Sequence, residues 1–334
     1  MKVSFLVCAY NEEKTIEETL RSILDQTIKP DEIVVVNDGS TDGTDEIVRR
    51  FEKHCRVVNL PQNTGSKAKA QMEGLKYVTG DILAFTDADT TIDPYFIEHA
   101  LPYFLDPSVG AVSGQVLSKK RNWLTAVRQI QYVISQNLYK KGMGALDSIL
   151  VIPGPAGMIR RRLFNPSSDT IAEDMDMTLK TNEIGYRIVY APDVKVFTDD
   201  PTDLQSYIRQ TRRWYAGYFQ NLRKHFRSAP PRIKVQSTIP ILENLLTLSG
   251  ALILIATIMF SLNPVLLSVL LLEMLVVGAF VIYGALRLGR KDLLAQAPAY
   301  FLIKIVDLYV WLKCLINELV FRNRETKWLR ADRS

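Results

Sequence analysis

Carboxylate and basic side chains form four short groups in the first two thirds of the chain. In order they are Asp38 in Asn37-Asp38-Gly39-Ser40, the pair Asp87-Ala88-Asp89, the pair Glu173-Asp174, and the run Gln210-Thr211-Arg212-Arg213-Trp214. Carboxylates can hold a divalent cation or accept a proton, and a guanidinium can stabilise a departing phosphate. The four groups together indicate chemistry on a substrate that carries phosphate.

Asp87 and Asp89 are the predicted metal ligands, and Asp87 is also counted among the nucleotide-binding residues. Both follow a short apolar run that ends at Phe85, which places them at the mouth of a predicted strand. Oxygen ligands of this kind suit Mg²⁺ or Mn²⁺, with phosphate oxygens and water completing the shell. The competing interpretation is a solvated turn whose aspartate caps a helix, and the companion groups favour the metal site.

Asp38 and Lys67 are the predicted contacts to the nucleotide and its phosphates. Asp38 ends another strand and can accept hydrogen bonds from a base or ribose, while Gly39 lets the backbone approach closely. A turn and helix N-cap is the alternative for Asp38. Lys67 can meet a phosphate or a carboxylate, and exposure to solvent at a helix start is the alternative for this residue.

Asp174 is the predicted catalytic base. Sugar transfer with inversion needs a base that removes the proton from the acceptor hydroxyl, and Asp174 opens a helical segment that runs from Glu173 to Glu183. The two carboxylates could instead stabilise the helix N-terminus through its dipole. The sequence leaves both interpretations open.

Gln210, Arg213 and Trp214 are the other predicted catalytic residues. They lie on a helical stretch, where positions three and four apart share a face, so all three can point into one cleft. Arginine can stabilise a departing diphosphate, and an indole ring offers the apolar face on which a pyranose stacks. The ordinary alternative is a surface arginine and a buried tryptophan.

Short apolar runs that alternate with helical periodicity predict the elements that position these residues. The runs are Val3 to Cys8, Ile33 to Val36, Val57 to Leu60 and Ile82 to Phe85. The alternation predicts a parallel α/β sheet with covering helices, in which ligands bind beyond the carboxyl ends of the strands. No GxGxxG follows the first strand, which argues against NAD. A longer amphipathic helix is predicted from Arg121 to Leu146.

Long apolar stretches follow the predicted α/β domain. Ile239 to Phe260 and Val265 to Leu286 are each about 20 residues long, enough to cross a bilayer core. Leu293 to Phe321 carries four charged residues, so it either spans the membrane or lies at the interface. A proline pair, Pro230-Pro231, stops the preceding helix. We therefore predict a domain of residues 1–230, then a membrane module of residues 231–334 with two or three apolar helices and a basic tail.

Basic residues gather at the borders of the apolar stretches, although the formal net charge is only +5. This distribution favours anionic lipid headgroups over nucleic acid, because the basic clusters lie at the borders of the apolar stretches and lack interleaved aromatic repeats. Met1 leads directly into a strand, which predicts no cleavable signal and a cytosolic catalytic domain. Three cysteines without CxxC spacing predict neither disulfides nor zinc. The expected location is the cell membrane, as an integral protein.

The four groups resemble the markers of the processive membrane branch of glycosyltransferase family 2, which includes cellulose, chitin, hyaluronan and poly-N-acetylglucosamine synthases. The family markers are a first aspartate, a DxD, a TED and a QxxRW. Their counterparts here are Asp38, Asp87-Ala88-Asp89, Ala172-Glu173-Asp174 and Gln210 to Trp214. The resemblance covers roughly residues 1–230.

The resemblance implies a GT-A fold, which is a Rossmann-like mixed sheet, and a UDP-sugar donor whose uracil lies between Tyr10 and Glu12. It also implies that Asp174 is the base. Two departures are visible: Ala172 replaces the usual threonine, and the transmembrane helices that commonly precede the catalytic domain are absent from this sequence. Few spans therefore remain to enclose a polymer channel, so either an oligomer or export partner completes it, or the acceptor is a lipid-linked sugar that is not translocated.

The sequence is compatible with three functions. The first is an inverting, metal-dependent transferase that passes a sugar from a nucleotide to a lipid-linked or growing polysaccharide acceptor on the cytosolic membrane face. The second is a polyprenyl- or dolichyl-phosphate sugar transferase, disfavoured because the run from Gln210 to Trp214 belongs to the other branch. The third is a non-catalytic nucleotide-binding subunit of a glycan export complex, which would not need Asp174.

Overall fold

The computed structural model describes residues 1–119, 122–260 and 264–321. Eight strands form one mixed sheet: β1 (Val3–Ala9), β2 (Glu32–Asn37), β3 (Arg56–Asn59), β4 (Ile82–Asp87), β5 (Thr90–Ile92), β6 (Val109–Ser118), β7 (Gly157–Arg160) and β8 (Arg187–Thr198). The order across the sheet is β3-β2-β1-β4-β7-β6-β8-β5. The mixed α/β sheet implied by the family resemblance is therefore confirmed.

Helices connect the strands and continue beyond the sheet. They are α1 (Ile16–Leu24), α2 (Thr44–Arg49), α3 (Lys67–Leu75), α4 (Phe96–Ala100), α5 (Trp123–Val133), α6 (Lys141–Ala145), α7 (Glu173–Glu183), α8 (Leu204–His225), α9 (Pro231–Phe260), α10 (Pro264–Leu288) and α11 (Ala297–Leu315). The first three helices and the first four strands alternate as the sequence predicts. The predicted helix from Glu173 to Glu183 has these bounds in the structure.

The parallel half of the sheet consists of β3, β2, β1 and β4. Successive side chains of a strand point to opposite faces, so Phe5 packs into the cluster with α1 while Leu6 packs into the cluster with α3. Both residues are at most 1% exposed. Burial on both faces explains why these strands are continuous runs of β-branched and apolar residues.

The other half of the sheet is partly antiparallel, as a mixed sheet requires, but its strands were not predicted from the apolar runs. Strand β7 runs antiparallel to both β4 and β6, and places Gly157 opposite Phe85. A Cβ added at Gly157 would lie 2.1 Å from the Phe85 ring, so only glycine allows this strand to pair here. Strand β8 then pairs with β6 and with the short β5.

The predicted amphipathic helix is present and starts at a capping box. The Asn122 side chain accepts the Thr125 backbone N–H at 2.9 Å, and the Thr125 hydroxyl accepts the Asn122 N–H at 2.8 Å. Beyond α5 the helix continues as π-helical turns over Ile134–Lys140 and ends with α6. Arg121 lies outside the described residues.

The long apolar stretches form helices, but their prediction as membrane spans is not supported. Within the described residues, no helix combines the length and apolar character that crossing a bilayer requires. The predictions for Ile239–Phe260 and Val265–Leu286 rested on run length, which does not distinguish a span from a helix packed on protein. Here α10 packs Val281 and Ala285 against α5. The basic tail, residues 322–334, lies outside the described residues.

The third apolar stretch, Leu293 to Phe321, contains α11, which packs along α8. Trp311 of α11 is 1% exposed, and its ring centroid lies 6.0 Å from that of Phe219 in α8. Asp307 of α11 accepts the Tyr207 hydroxyl of α8 at 2.8 Å. This stretch therefore serves as a packing partner of the helix that carries the predicted Gln210 to Trp214 run.

Candidate active site

A cavity of about 720 Å³ opens where β1, β2 and β4 end. Every side chain predicted as a site residue lines it: Tyr10, Glu12, Asp38, Lys67, Asp87, Asp89, Asp174, Gln210, Arg213 and Trp214. These residues come from the strand ends and from the first turns or faces of α3, α7 and α8. The fold thus brings together groups that are up to about two thirds of the chain apart in sequence.

Lys67 lies among the carboxylates of the cleft. Its Nζ pairs with Asp87 Oδ1 and lies 3.4 Å from Glu173 Oε1. A Cβ added at Gly154 would lie 2.8 Å from Lys67 Nζ, 3.8 Å from Asp87 Oδ2 and 3.9 Å from Asp174 Oδ2, so three charged groups meet at this glycine. Burial alone would lower the pKa of Lys67, but the carboxylates outweigh it and hold that pKa above its usual range. Lys67 is therefore a fixed cation.

Asp174 lies beside this cluster in the first turn of α7. Its Oδ2 accepts the Gly154 backbone N–H at 3.1 Å, and its Oδ1 accepts the Met175 N–H at 2.8 Å. Burial, followed by the negative charge of Glu173, raises the pKa of Asp174 to about 6, although Lys67 opposes the shift. A carboxylate with a pKa near neutrality, held in place by backbone donors, is suited to accept a proton.

Asp38 lines the cleft and also organises the loop that follows β3. Its Oδ1 accepts the Thr64 N–H at 2.9 Å, and its Oδ2 accepts the Thr64 hydroxyl at 2.9 Å and the Asn63 amide at 3.3 Å. Gly39 has a φ of 65°, and a Cβ there would lie 2.3 Å from the Gln62 carbonyl carbon. Gly39 therefore lets the loops after β2 and β3 meet at the cleft, and the predicted close approach of its backbone to a nucleotide stays a prediction.

Asp87 and Asp89 have different surroundings, although both line the cleft. The Asp87 side chain is 30% exposed, whereas Asp89 is 4% exposed and accepts the Thr90 hydroxyl at 3.1 Å. In the described ranges, no three His, Cys, Asp or Glu side chains cluster so as to cage a metal. Mg²⁺ in nucleotide sites is commonly held by one or two carboxylates plus phosphates and water. This pair fits a cation that arrives with a nucleotide.

Gln210, Arg213 and Trp214 reach the cleft from α8, on one face of the helix as predicted. Trp214 is 39% exposed, and its ring centroid lies 6.5 Å from that of Tyr132. Two aromatic rings at the cleft wall provide apolar surface of the kind on which sugar rings stack. The Arg213 guanidinium adds a permanent positive charge to the same wall.

Three further cleft residues, Tyr132, Gln136 and Lys140, were missed in the sequence. Their spacing of four residues on the predicted amphipathic helix was the available signal, because such residues share one face. The last two lie in the π-helical turns, a form that frequently occurs at functional sites. Burial lowers the pKa of Lys140 to about 8, against the opposing charge of Asp174. The helix therefore adds a titratable cation to the cleft.

A buried ion network, centred on Asp176, fixes α7 to the end of α8. Asp176 is fully buried, and its Oδ1 lies 2.5 Å from Lys224 Nζ and 2.9 Å from His225 Nε2. Lys180 Nζ lies 2.6 Å from the other oxygen, and Glu183 lies 2.9 Å from His225 Nδ1. We call these five residues the Asp176 network. It lies two residues from the predicted base, on the helix that positions it.

This fold and cleft define a GT-A-type transferase domain, and comparison with known proteins identifies the family. Residues 4–166 match the family model described as Glycosyl transferase family 2. The chain belongs to this family of glycosyltransferases, which confirms the resemblance carried by the Asp38, DxD, ED and QxxRW groups.

Curated relatives and solved structures agree with this assignment. Poly-beta-1,6-N-acetyl-D-glucosamine synthase of Staphylococcus epidermidis is 29% identical over 269 residues, covering 77% of this chain and 64% of the relative. The enzyme of the same name from Staphylococcus aureus (strain COL) is 30% identical over 234 residues, covering 67% of this chain and 56% of the relative. The chain thus spans less than two thirds of either relative.

Two solved structures share the architecture. A mannosyltransferase from Pyrobaculum calidifontis, in complex with GDP-Man and Mn²⁺, superposes with a TM-score of 0.70 at 25% identity and covers 96% of this chain and 88% of that one. S. aureus TarS 1–349 in complex with UDP-GlcNAc gives 0.56 at 18% identity, with 95% and 91% covered. The second likeness bears on the fold alone.

Proposed function

We propose that this chain is an inverting, metal-dependent glycosyltransferase that moves a sugar from a UDP-sugar to a growing polysaccharide or lipid-linked acceptor. The observation that carries the proposal is the meeting of Lys67, Asp87 and Asp174 around Gly154, in a cleft that Arg213 and Trp214 also line. The curated relatives are named as poly-N-acetylglucosamine synthases, which supports UDP-N-acetylglucosamine as the first donor to test.

Each of these cleft residues has a separate role in the proposed reaction. Asp174 takes the proton of the acceptor hydroxyl while that oxygen bonds to the anomeric carbon and the bond to the diphosphate breaks. Attack from the face opposite the leaving group inverts the anomeric centre. Lys67 and Arg213 receive the charge that develops on the diphosphate, and Trp214 stacks on a sugar ring. A divalent cation held by Asp87 and Asp89 would add positive charge at the same diphosphate.

A second candidate is transfer of mannose from GDP-mannose to a lipid phosphate. It is favoured by the mannosyltransferase structure, which was solved with GDP-Man and covers 96% of this chain, including its C-terminal helices. The oxygen of a lipid phosphate is largely ionised near neutral pH, so this candidate keeps the diphosphate contacts but does not need Asp174 to remove a proton.

A donor panel tests both candidates. Purified protein in lipid would be incubated with UDP-GlcNAc, UDP-glucose or GDP-mannose plus Mn²⁺, and released nucleotide and product size would be measured. We expect UDP release from UDP-GlcNAc with a sugar-containing product. Turnover of GDP-mannose alone would select the second candidate. Donor binding without nucleotide release from any donor would indicate a non-catalytic subunit and refute the proposal.

Metal dependence is the first prediction of the proposal. EDTA should abolish turnover, added Mn²⁺ or Mg²⁺ should restore it, and Asp89→Ala should lower it at least about 100-fold, because the diphosphate loses its counter-charge. Nucleotide release measured against metal concentration checks this. Asp93→Asn is the matched control, since Asp93 caps the Tyr95 N–H outside the cleft and should leave the rate unchanged. Full activity in EDTA would contradict the metal assignment.

We also propose that the C-terminal helices dock on an anionic lipid bilayer. Large apolar side chains of α9, α10 and α11 are exposed: Leu245, Leu246, Leu252, Leu271, Leu272, Leu275, Leu286, Leu302, Ile305 and Tyr309. Soluble monomers rarely expose so much apolar surface in one region. Exposed Arg232, Arg287 and Lys291 lie at the ends of α9 and α10, where they can meet anionic headgroups. The lipid would then supply both acceptor and surface.

Vesicle flotation tests the docking surface. We expect the protein to float with phosphatidylglycerol vesicles, and Leu272→Glu with Leu275→Glu to reduce the bound fraction about tenfold, because buried charge disfavours insertion. Leu105→Glu is the control, since Leu105 is 76% exposed, more than Leu272 at 61% and Leu275 at 71%, but belongs to the α/β domain. Wild-type protein that stays at the bottom of the gradient would refute the docking proposal.

A further inference from the structure

Arg128 of α5 is a buried cation held behind the cleft. It is 4% exposed and does not line the cavity, yet it contacts four residues of α8. Its Nη2 donates to Gln210 Oε1 at 3.1 Å and to Thr211 Oγ1 at 3.1 Å. Its guanidinium carbon also lies 4.6 Å from the centroid of the Trp214 ring. One side chain from another helix thus touches two of the three cleft-lining residues of the Gln210 to Trp214 run.

The contact with Gln210 fixes the orientation of its amide. Arginine carries donors only, so the group that Gln210 turns toward Arg128 must be the carbonyl oxygen. The Nε2 of Gln210 then faces away from Arg128, and within the described residues it donates to no protein atom. Since Gln210 lines the cleft, its two N–H groups are the part of the amide left for a ligand.

The contact with Trp214 covers one face of the indole. A guanidinium stacks flat on aromatic faces, and that of Arg128 lies between the rings of Trp214 and Tyr207, at 4.6 Å and 4.0 Å from their centroids. Trp214 remains 39% exposed and lines the cleft, so the exposed part of its ring is directed to the cavity. Arg128 therefore holds the ring from behind.

We propose that Arg128 is a positioning residue for sugar transfer: it makes Gln210 a hydrogen-bond donor to an oxygen of the bound substrate and holds the Trp214 ring for stacking. This inference rests on the proposed function. Lysine at position 128 would keep the positive charge but lose the planar guanidinium, which donates to two acceptors and contacts two aromatic rings. The positioning would be lost, while the charge balance with the buried Asp200 and the partly buried Asp307 would persist.

A double-mutant cycle tests the proposal. Arg128→Lys and Gln210→Ala should each lower kcat roughly tenfold, with the donor Kd within about twofold of wild type. The double variant should be no more than about twofold slower than Arg128→Lys alone, because Arg128→Lys has already removed the hydrogen bond that orients Gln210. Losses that multiply to about 100-fold would overturn the proposal, as would an Arg128→Lys enzyme with wild-type kcat.

Two further variants separate positioning from general stability. Arg160→Lys is the matched control, since Arg160 donates to Val109 and Phe104 carbonyls and lies over a phenylalanine ring away from the cleft. An equal loss of kcat in Arg160→Lys would overturn the assignment. Gln210→Glu keeps an acceptor for Arg128 but removes the amide donors, so it should be as slow as Gln210→Ala even if Arg128→Lys does not fold. Wild-type kcat in Gln210→Glu would overturn the donor role.

Wild-type turnover separates this inference from the function on which it rests. A wild-type enzyme that releases nucleotide, with variants that behave otherwise than stated, refutes the role of Arg128 alone. A wild-type protein that releases no nucleotide refutes the proposed function, and the positioning role with it.

Discussion

Asp174→Asn is expected to lower sugar transfer between about 10²- and 10⁴-fold while donor affinity changes less than about twofold. The asparagine amide has nearly the shape of the carboxylate, and its single oxygen can still accept one of the two backbone N–H groups, that of Gly154 or that of Met175. It cannot take up a proton, so the acceptor hydroxyl is no longer activated. Single-turnover product formation and donor binding by calorimetry measure the two effects separately.

The same assignment fixes the sign of the pH dependence. Asp174 acts as a base only when it is ionised, and its pKa is raised to about 6 by burial and by Glu173. The wild-type rate should therefore rise through about pH 6 and be lost progressively below it. Asp193→Asn, an exposed carboxylate on β8, is the control and should leave both rate and pH profile unchanged. Equal loss of binding and transfer in Asp174→Asn would make its role structural.

The parallel half of the sheet and its loops could be predicted because the signals are local. Each strand from β1 to β4 is a short apolar run followed by turn residues, and each helix between them repeats at the spacing of a helical face. The carboxyl ends of parallel strands share one edge of a sheet, so Asp38 and Asp87 were expected together before any contact was known. The cleft confirms this.

The antiparallel half could not be predicted because its signals depend on distant partners. Strand β6 contains Gly110 and Gly114, and β8 contains Pro192, residues that weaken a strand when judged by propensity alone. At Gly114 a Cβ would lie 2.6 Å from the Val194 carbonyl oxygen, so the glycine is required by a strand some 80 positions away. Only the folded sheet shows why these residues are there.

The site shows the same division between local and distant signals. Residue type and spacing identified Asp174 and the Gln210 to Trp214 run, whereas nothing in the sequence pairs Arg128 with Gln210 across 82 positions. The prediction of membrane spans from the apolar runs of the C-terminal third was not supported, for a related reason. Run length measures hydrophobicity, and it does not tell whether a helix such as α11 meets lipid or, through Trp311, another helix.

Asp176→Asn should lower the free energy of unfolding by about 3 to 5 kcal/mol, the usual effect of removing one partner from a buried ion pair. Asp176 is fully buried and is surrounded by the cationic groups of Lys180, Lys224 and His225. Burial alone would raise its pKa, but hydrogen bonds from these partners outweigh it and hold the pKa well below its usual range. Urea unfolding of wild type and variant measures the difference. Asp169→Asn, an exposed partner of Lys224, is the matched control and should cost less than about 1 kcal/mol.

The pH dependence of stability gives a second test of the Asp176 network. Because the pKa of Asp176 is lowered by folding, its contribution is present above about pH 4, the unfolded value, and is lost as the pH falls through the folded pKa. Burial would lower the pKa of His225, but Asp176 and Glu183 raise it, so its contribution is present below about pH 6.5 and is lost as the pH rises through the folded pKa. In the wild type, the stabilisation by the network should therefore be complete between about pH 4 and pH 6.5. In Asp176→Asn, the loss of unfolding free energy that Asp176 causes on acidification should be absent. An unchanged urea midpoint at pH 5 would contradict this account.

Two carboxylates on one helix turn thus have opposite effects on the fold. Folding favours the ionised form of Asp176 and disfavours that of Asp174, whose pKa is raised. At pH 7 Asp174→Asn should therefore leave stability unchanged or raise it, while Asp176→Asn lowers it. A helix that must hold an unfavourable carboxylate at the cleft needs a strong attachment behind it, and the Asp176 network supplies that attachment two residues away.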